Sequence, residues 1–339
     1  MTFRATSLPV ELLQKILTLA IELHPCPSQI LCVNSTFCDI GSYILYTRLN
    51  FNTIRQLSQF AWHKEGVIPY QPRELRISLA GEAAAYNVFL YLGGVLRKCL
   101  ADRTCSGNFI STTTATAVVN NTHEETSLSS LPLDMLSLRL NSHVNNPNLH
   151  DIYEALILAN PRQFSWLGPD PSHHFSTAIV PTATHHLFRA ISTWAFVETV
   201  TLTNIAFPSP SEPHDDRQSP IDNDPLLPLL PRLRCLYLGQ ATFLSPSTIA
   251  MIACQDLDRP HDRSSSCLEE IRLVDAYQES IWSKRLRRTD IEKAALALPL
   301  SKIYGADVVL DRIRGLVRCE AMNERIMGGD RSEGLVVLE

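Results

Sequence analysis

Four histidines stand in two adjacent pairs, His173-His174 and His185-His186. Because histidine is a common metal ligand, the pairs raise the question of a metal site. Neighbours in sequence do not share a helical face, and no nearby cysteine or carboxylate completes a set with metal-ligand spacing. We therefore interpret both pairs as surface histidines and expect no metal and no other cofactor.

The remaining reactive residue types do not form a catalytic pattern. The nine cysteines contain no CxxC pair, and their odd number is a poor basis for a disulfide framework, so we predict reduced, mostly buried thiols. The chain also lacks the glycine-rich loops that hold nucleotide phosphates and the GxSxG turn of hydrolases. The expectation is a protein with no catalytic residues.

Composition excludes several other classes. The net charge of −5 is spread along the chain without a basic domain, so we expect no nucleic-acid partner. No apolar run reaches about 18 residues and no secretory signal precedes the first helix, which predicts a cytoplasmic and/or nuclear protein without a membrane partner. The basic run "KRLRR", residues 284 to 288, fits a nuclear signal or the exposed face of a helix beyond Trp282.

The chain begins with a helix that is apolar around more than half of its circumference. In "SLPVELLQKILTLAIEL", residues 7 to 23, Ser7 can cap the helix and Pro9 fits its first turn. The apolar residues cover an arc of roughly 200°, about twice what one core contact requires. A second helix over 27 to 34 and a third over 35 to 49 are predicted to follow, which makes a very small core.

These three helices carry the pattern of a known family. "LPVELLQKIL" is followed about a dozen residues later by "ILCVNSTFCDIGSYILY", and the match spans residues 7 to 49. The pattern resembles the F-box, the adaptor-binding motif of the substrate receptors of cullin-based ubiquitin ligases. The Val-Asn-x-x-Phe form and the closing Leu45-Tyr46 are similar to those of fungal F-box proteins. The Pro-rich segment between the first two helices departs from the family, because it lacks the usual run of Leu and Asp.

The resemblance implies a partner and a set of contact residues. In this family the Leu-Pro turn and its apolar neighbours insert into the small adaptor subunit, which joins the receptor to the cullin. The corresponding residues of this chain are Leu8, Pro9, Leu12, Leu13, Ile16, Leu17, Val33, Asn34 and Phe37. Such a role would account for the wide apolar arc, with one part packed inside the small domain and the remainder on the adaptor.

The rest of the chain shows a weak repeat. Apolar-x-apolar triplets typical of short strands recur at Leu136-x-Leu138, Phe164-x-Trp166, Val200-x-Leu202, Leu236-x-Leu238, Ile271-x-Leu273 and Val308-x-Leu310. They are 28, 36, 36, 35 and 37 residues apart, a period that indicates stacked units. Helices are predicted between them in "NLHDIYEALILAN", "PTATHHLFRAISTW" and "SPSTIAMIACQDL". An earlier strand is predicted in "RELRISLAG" and an earlier helix in "AAYNVFLYLGGVLRKCLA".

Two of these units resemble leucine-rich repeats, namely "LPRLRCLYLGQATFL" and "CLEEIRLVDA". The periods exceed the usual length of about 20 to 29 residues, and the customary Asn after the strand is missing, with Gln240 nearest to it. We therefore predict an α/β fold, in which a small three-helix F-box precedes an irregular leucine-rich-repeat-like α/β solenoid. The alternative is an ordinary α/β domain. Candidates for substrate contact follow the strands: Asn141, His143, Asn204, Gln240, Asp275 and Tyr277.

The predicted organisation has four parts: an F-box over 1–50, a connector helix over 51–72, a repeat domain over 73–318 and a C-terminal segment over 319–339. The C-terminal segment fits a last strand, a cap or a tail. Thr- and Asn-rich residues 104–127 and Pro-, Ser- and Asp-rich residues 208–228 are predicted to be mobile insertions.

The sequence thus predicts a non-enzymatic substrate receptor of an SCF-type ubiquitin ligase. The F-box would bind the adaptor, and through it the cullin, while the repeat domain would bind an unknown protein substrate. One alternative is an interaction scaffold that binds the adaptor without directing ubiquitination. Another is a hydrolase on an α/β domain, for which the sequence offers no paired nucleophile and base.

Overall fold

A computed structural model of the chain describes residues 8–63, 68–79, 86–106, 130–170, 176–208, 227–257, 268–323 and 336–338. The helices of this part are α1 Val10–Leu23, α2 Pro27–Leu31, α3 Ser35–Thr47, α4 Ile54–Trp62, α5 Val88–Ser106, α6 Asp151–Leu156, α7 Pro181–Ile191, α8 Pro246–Cys254, α9 Arg288–Ala297, α10 Pro299–Tyr304 and α11 Ala306–Leu316. Its strands are β1 Arg48–Phe51, β2 Glu74–Ser78, β3 Leu131–Arg139, β4 Ala159–Leu167, β5 Thr199–Thr203, β6 Cys235–Gly239, β7 Glu270–Val274, β8 Val317–Ala321 and β9 Val336–Val337.

The first three helices form a small unit with a core of its own. Leu13, Leu17 and Ile21 of α1 lie four residues apart on one helical face and pack against Ile44 of α3. The N-terminus of α3 is capped by Asn34, whose side-chain oxygen accepts a hydrogen bond from the backbone N–H of Phe37. The three helices were predicted from their spacing, although α2 ends at Leu31 rather than at residue 34.

One sheet organises the rest of the described chain. Strands β1 to β8 lie side by side in chain order and each runs parallel to the next, whereas the short strand β9 is antiparallel to β8. Five of the six predicted triplets belong to strands β3 to β7, and the second members of those triplets align across the sheet: Leu138, Trp166, Leu202, Leu238 and Leu273.

Helices cover one face of this sheet. Along β5 and β6 buried and partly exposed side chains alternate, because successive residues of a strand point to opposite faces. The buried members join the helices in a second, larger core that includes Trp166 and Trp194. Both indole N–H groups are satisfied, since they donate to the backbone oxygens of Leu140 and Leu156 at 3.1 Å. The other face of the sheet is the one open to solvent.

The sixth predicted strand is wrong, because Val308 and Leu310 belong to helix α11. The buried residues of α11 are Val309, Ile313 and Leu316, whose spacing has the period of a helix rather than of a strand. The strand comes directly after the helix, at Val317–Ala321.

The connector segment belongs to the larger core. The predicted boundary at residue 50 falls inside β1, which pairs with β2. Helix α4 begins with a capping box between Thr53 and Gln56, contributes the fully buried Leu57 to the larger core and contacts α5. Among the described residues of the predicted connector, Phe51, Leu57 and Ile68 thus pack in the larger core.

The structure confirms an α/β chain with an N-terminal helical region. Most of the predicted insertions lie outside the described residues, which stop at Ser106 and resume at residue 130, and stop at residue 208 and resume at residue 227. Within the predicted C-terminal segment, Val336–Val337 pairs with β8 as a last strand. Among the described helices, none is both long enough and apolar enough to cross a membrane.

Candidate functional site

The first candidate surface is an apolar stripe on α1 that the small core leaves uncovered. It consists of Leu12, Ile16, Leu19 and Leu23, which follow one another by four, three and four residues and so lie within about 60° of the helix circumference. Their exposed fractions lie between 48% and 83%. We call these four residues the α1 stripe. Exposed apolar side chains grouped in this way are typical of a protein-binding surface.

The neighbouring apolar face of α1 faces inward. Leu13 and Leu17 are 5% and 1% exposed in the small core, so they offer little surface to a partner. The wide apolar arc of the sequence is therefore two faces that lie next to each other. One packs on α3, and the other is the α1 stripe.

The residues assigned to adaptor binding fall into two groups. Pro9 at the start of α1, Leu12 and Ile16 on the α1 stripe, and Val33 after α2 are exposed. Of the others, Leu8 is half-buried, Phe37 is half-buried against the small core, Leu13 and Leu17 are buried in it, and Asn34 is exposed and caps α3. Sequence reasoning left out Leu19 and Leu23, although their spacing from Leu12 would have placed them on the same stripe.

The open face of the sheet is the second candidate surface. One row of side chains crosses it on adjacent strands, from β1 to β8, and we call it the central row: Asn50, Arg76, Ser137, Ser165, Thr201, Tyr237, Arg272 and Arg318. Hydroxyl groups occupy its middle, where Ser165 donates to Ser137 at 2.8 Å. Arginines stand towards both of its ends.

The arginines on β7 and β8 are held by carboxylates on the same face. Arg272 forms a 2.7 Å ion pair with Glu320, and this hydrogen-bonded carboxylate raises the pKa of the arginine. Its guanidinium also lies 5.6 Å from the ring centre of Tyr237, whose pKa is raised by burial. Arg318 pairs more loosely with Glu270 at 3.4 Å. The surface can thus offer neutral hydroxyls and a guanidinium to a bound segment.

Three of the residues predicted to contact a substrate are buried instead. Asn204, Gln240 and Asp275 follow β5, β6 and β7 and have positive φ angles of 57°, 49° and 50°. The backbone N–H of each donates to the end of the next strand, at Gly239, Val274 and Glu320. They turn the chain away from the sheet, so their role is structural. Asn and Asp tolerate this left-handed conformation better than most residues.

Asp275 also forms a buried ion pair. Its carboxylate accepts from Arg285 Nε at 2.9 Å, from the backbone N–H of Met322 and Asn323, and from Asn323 Nδ2 at 2.7 Å. Arg285 is 1% exposed and belongs to the run "KRLRR", which is not helical before Arg288. The prediction of an exposed helix face is therefore wrong for this residue.

The other candidates are placed as follows. Tyr277 is fully buried, Asn141 is exposed, and His143 is half-buried beside the ring of Tyr86. His185 is exposed on α7, and its neighbour His186 has its pKa lowered to about 4, first by burial and then by adjacent cationic groups. His173-His174 lies outside the described residues. Within the described part, no three His, Cys, Asp or Glu side chains are grouped to hold a metal ion.

Comparison with protein-family models finds none that matches this chain, and comparison with curated proteins finds no significant match.

Proposed function

We propose that this chain is the substrate-recognition subunit of an SCF-type, cullin-based ubiquitin ligase. In this proposal the three-helix unit is an F-box that binds the ligase adaptor, and the sheet unit is an irregular leucine-rich-repeat-like solenoid that binds a protein substrate. The chain itself catalyses no reaction. It contributes proximity, because it holds the substrate near the ubiquitin-charged enzyme.

The α1 stripe is the observation that carries the proposal. A helix in a unit this small would be expected to bury its apolar residues in the single core available, yet four large side chains of α1 remain outside it. A unit with so small a core gains stability when a partner covers such a surface. Val33 adds a further exposed apolar residue at the end of α2.

The sheet unit supports the second half of the proposal. Its strands follow one another in chain order, and the residues Asn204, Gln240 and Asp275 occupy equivalent positions after three successive strands. Repetition of one strand-and-turn unit is the expected feature of a stacked-repeat protein. The open face with its central row would then be the surface presented to the substrate.

The test is co-purification with the ligase adaptor. The variant Leu12→Gln plus Ile16→Gln removes the centre of the α1 stripe while keeping good helix formers. Each apolar side chain buried in the interface contributes about 1.5 to 3 kcal/mol to the binding free energy. Loss of both should therefore cost at least about 3 kcal/mol, which weakens adaptor binding at least about a hundredfold. The matched control is Lys15→Gln plus Glu22→Gln on the polar face of α1, which should bind like the wild type.

Two results would contradict the adaptor claim. One is a folded wild-type chain that does not bind the adaptor, and the other is undiminished binding by the double variant. The scaffold alternative is separated by a second measurement, the half-life of proteins bound by the sheet unit. A ligase receptor shortens that half-life in a manner that depends on Leu12 and Ile16, whereas a scaffold leaves it unchanged when the chain is removed.

A further inference from the structure

A groove of about 600 Å³ lies at the N-terminal ends of the strands, away from both surfaces described above. Tyr43 of α3 and Tyr70 before β2 form one wall, and the ends of β3 and β4 form the floor. Phe196 and Arg232, from the loops before β5 and β6, lie on the far side. The groove therefore runs along the ends of several strands, from the helical unit towards the middle of the sheet.

Three aromatic side chains of this groove are exposed. Tyr43 and Tyr70 meet edge to face with ring centres 5.2 Å apart, and Phe196 is the third. Exposed aromatic rings beside arginines are the combination most enriched among residues that dominate protein interfaces. This composition favours a polypeptide occupant.

The groove is held in shape by internal contacts. Asn160 is buried in the floor and accepts a hydrogen bond from the backbone N–H of Phe196 at 3.2 Å. Arg162 donates twice to Glu198, at 3.2 and 2.8 Å, and Arg73 forms a 2.7 Å ion pair with Asp134. The hydrogen bond of the buried Asn160 positions the backbone of Phe196, which lowers the entropy lost when a ligand binds, whereas water screens the two exposed ion pairs.

The charges of the groove do not cancel. Arg73 and Arg162 have carboxylate partners, but the guanidinium of Arg232 lies over the ring of Phe196, 4.8 Å from its centre. No carboxylate in the described part of the chain forms an ion pair with Arg232. A guanidinium in this situation can receive a carboxylate through two parallel hydrogen bonds while its face stays on the ring.

We propose that this groove binds an extended peptide segment that carries an Asp or Glu side chain next to an aromatic or large aliphatic residue. The acidic side chain pairs with Arg232, and the apolar neighbour packs among Phe196, Tyr43 and Tyr70. The site goes beyond the proposed ligase role and does not depend on it, because none of its residues belongs to the α1 stripe or to the central row.

The test is selection from a phage-displayed library of random peptides on the full-length chain, followed by binding measurements on the enriched sequences. We expect the enriched peptides to share an acidic residue beside an apolar one. Arg232→Gln should weaken their binding at least about tenfold, and Phe196→Ala should do the same. Arg232→Glu should reverse the selection towards peptides with Lys or Arg. The matched control is Arg189→Gln, which removes another exposed arginine whose guanidinium lies over an aromatic ring, that of Tyr153, outside the groove, the α1 stripe and the central row, and it should leave peptide binding unchanged.

Several outcomes would overturn the proposal. They are the absence of any shared sequence among the selected peptides, equal binding by Arg232→Gln, or a loss that appears in Arg189→Gln instead. Thermal melting of each variant checks that the fold is retained, as expected for exposed side chains. Leu12→Gln plus Ile16→Gln should leave peptide binding unchanged, so failure of the groove and failure of adaptor binding are separate results.

Discussion

Removal of the Asp275 carboxylate should destabilise the protein strongly. The substitution Asp275→Ala takes away the acceptor of four hydrogen bonds, from Arg285 Nε, the backbone N–H of Met322 and of Asn323, and Asn323 Nδ2. It leaves the guanidinium of Arg285 buried opposite a cavity. Loss of one partner from a buried ion pair costs about 3 to 5 kcal/mol, because the remaining charge stays out of water.

The expected change in melting temperature follows from chain length. With about 2.1 cal/mol/K of unfolding entropy per residue, a chain of 339 residues unfolds with about 0.7 kcal/mol/K, so 3 to 5 kcal/mol corresponds to a decrease of about 4 to 7 °C. Urea denaturation followed by circular dichroism gives the free energy directly, and calorimetry gives the temperature.

Two further variants test whether the loss of stability comes from the buried charge of Arg285 rather than from the loss of any ion pair. Glu269→Ala removes a 2.6 Å ion pair with Arg234 in which both side chains are about half exposed, so its unfolding midpoint should stay close to wild type because water screens the pair. Asp275→Ala plus Arg285→Met should recover part of the stability, since the buried guanidinium is then removed together with its carboxylate. A strongly stabilising Asp275 carboxylate is excluded if Asp275→Ala changes the unfolding free energy by less than about 1 kcal/mol, or by no more than Glu269→Ala does.

Three other perturbations have defined outcomes. Gly168→Ala places a Cβ 2.6 Å from Asn204 Oδ1 and should lower the free energy of unfolding, measured by urea denaturation, by about 1 to 3 kcal/mol. The Cβ of Gly315→Ala in α11 has no atom within 4 Å, so this variant should raise the free energy of unfolding by about 0.5 to 1 kcal/mol. Equal effects of the two substitutions would contradict this prediction. Leu17→Ala should lower the stability of the three-helix unit by about 2 to 5 kcal/mol. Because the two cores share no residue, hydrogen exchange should show lost protection of the backbone amides in α1 to α3 but not in the sheet. The pKa of His186 is about 4 in the folded protein, against an ordinary value of 6.5. Between pH 6.5 and pH 4 the imidazole is therefore protonated in the unfolded chain but largely neutral in the folded one. The free energy of unfolding should fall as the pH is lowered from 6.5 to 4. His186→Gln should reduce this slope, and an unchanged slope would assign it to other groups.

Strands β3 to β7 could be predicted from sequence because each presents two large apolar residues to the helices and smaller or polar residues to the open face. Val308-x-Leu310 met the same criterion by coincidence. A stretch of three residues is too short to distinguish the two-residue period of a strand from the period of a helix. The helical period is visible only in the longer spacing of the buried residues Val309, Ile313 and Leu316. Strand β1 was missed because its residues lie where the F-box pattern ends.

The candidate surfaces were predictable in part. The sequence indicates that the apolar arc of α1 is too wide for one contact, but both halves consist of Leu and Ile, so the position of α3 was needed to tell the core face from the α1 stripe. The Asp275 network could not be predicted, because its partners Arg285 and Asn323 are 10 and 48 residues away in sequence. Charged residues in such a run are usually solvated, and burial of one of them is decided by tertiary packing.

The junction between the two cores has a mechanical consequence. Helix α3 ends at Thr47 and β1 begins at Arg48, so no linker residue separates the units. The oxygen of Thr47 accepts from the backbone N–H of Arg73, and Arg48 lies 3.6 Å from Glu22 of α1 and 3.5 Å from Glu74 of β2. If the proposed adaptor binds α1 and a substrate binds the sheet, these contacts set the distance between the two bound proteins. In that proposal, the size of the substrate would decide whether it reaches the adaptor.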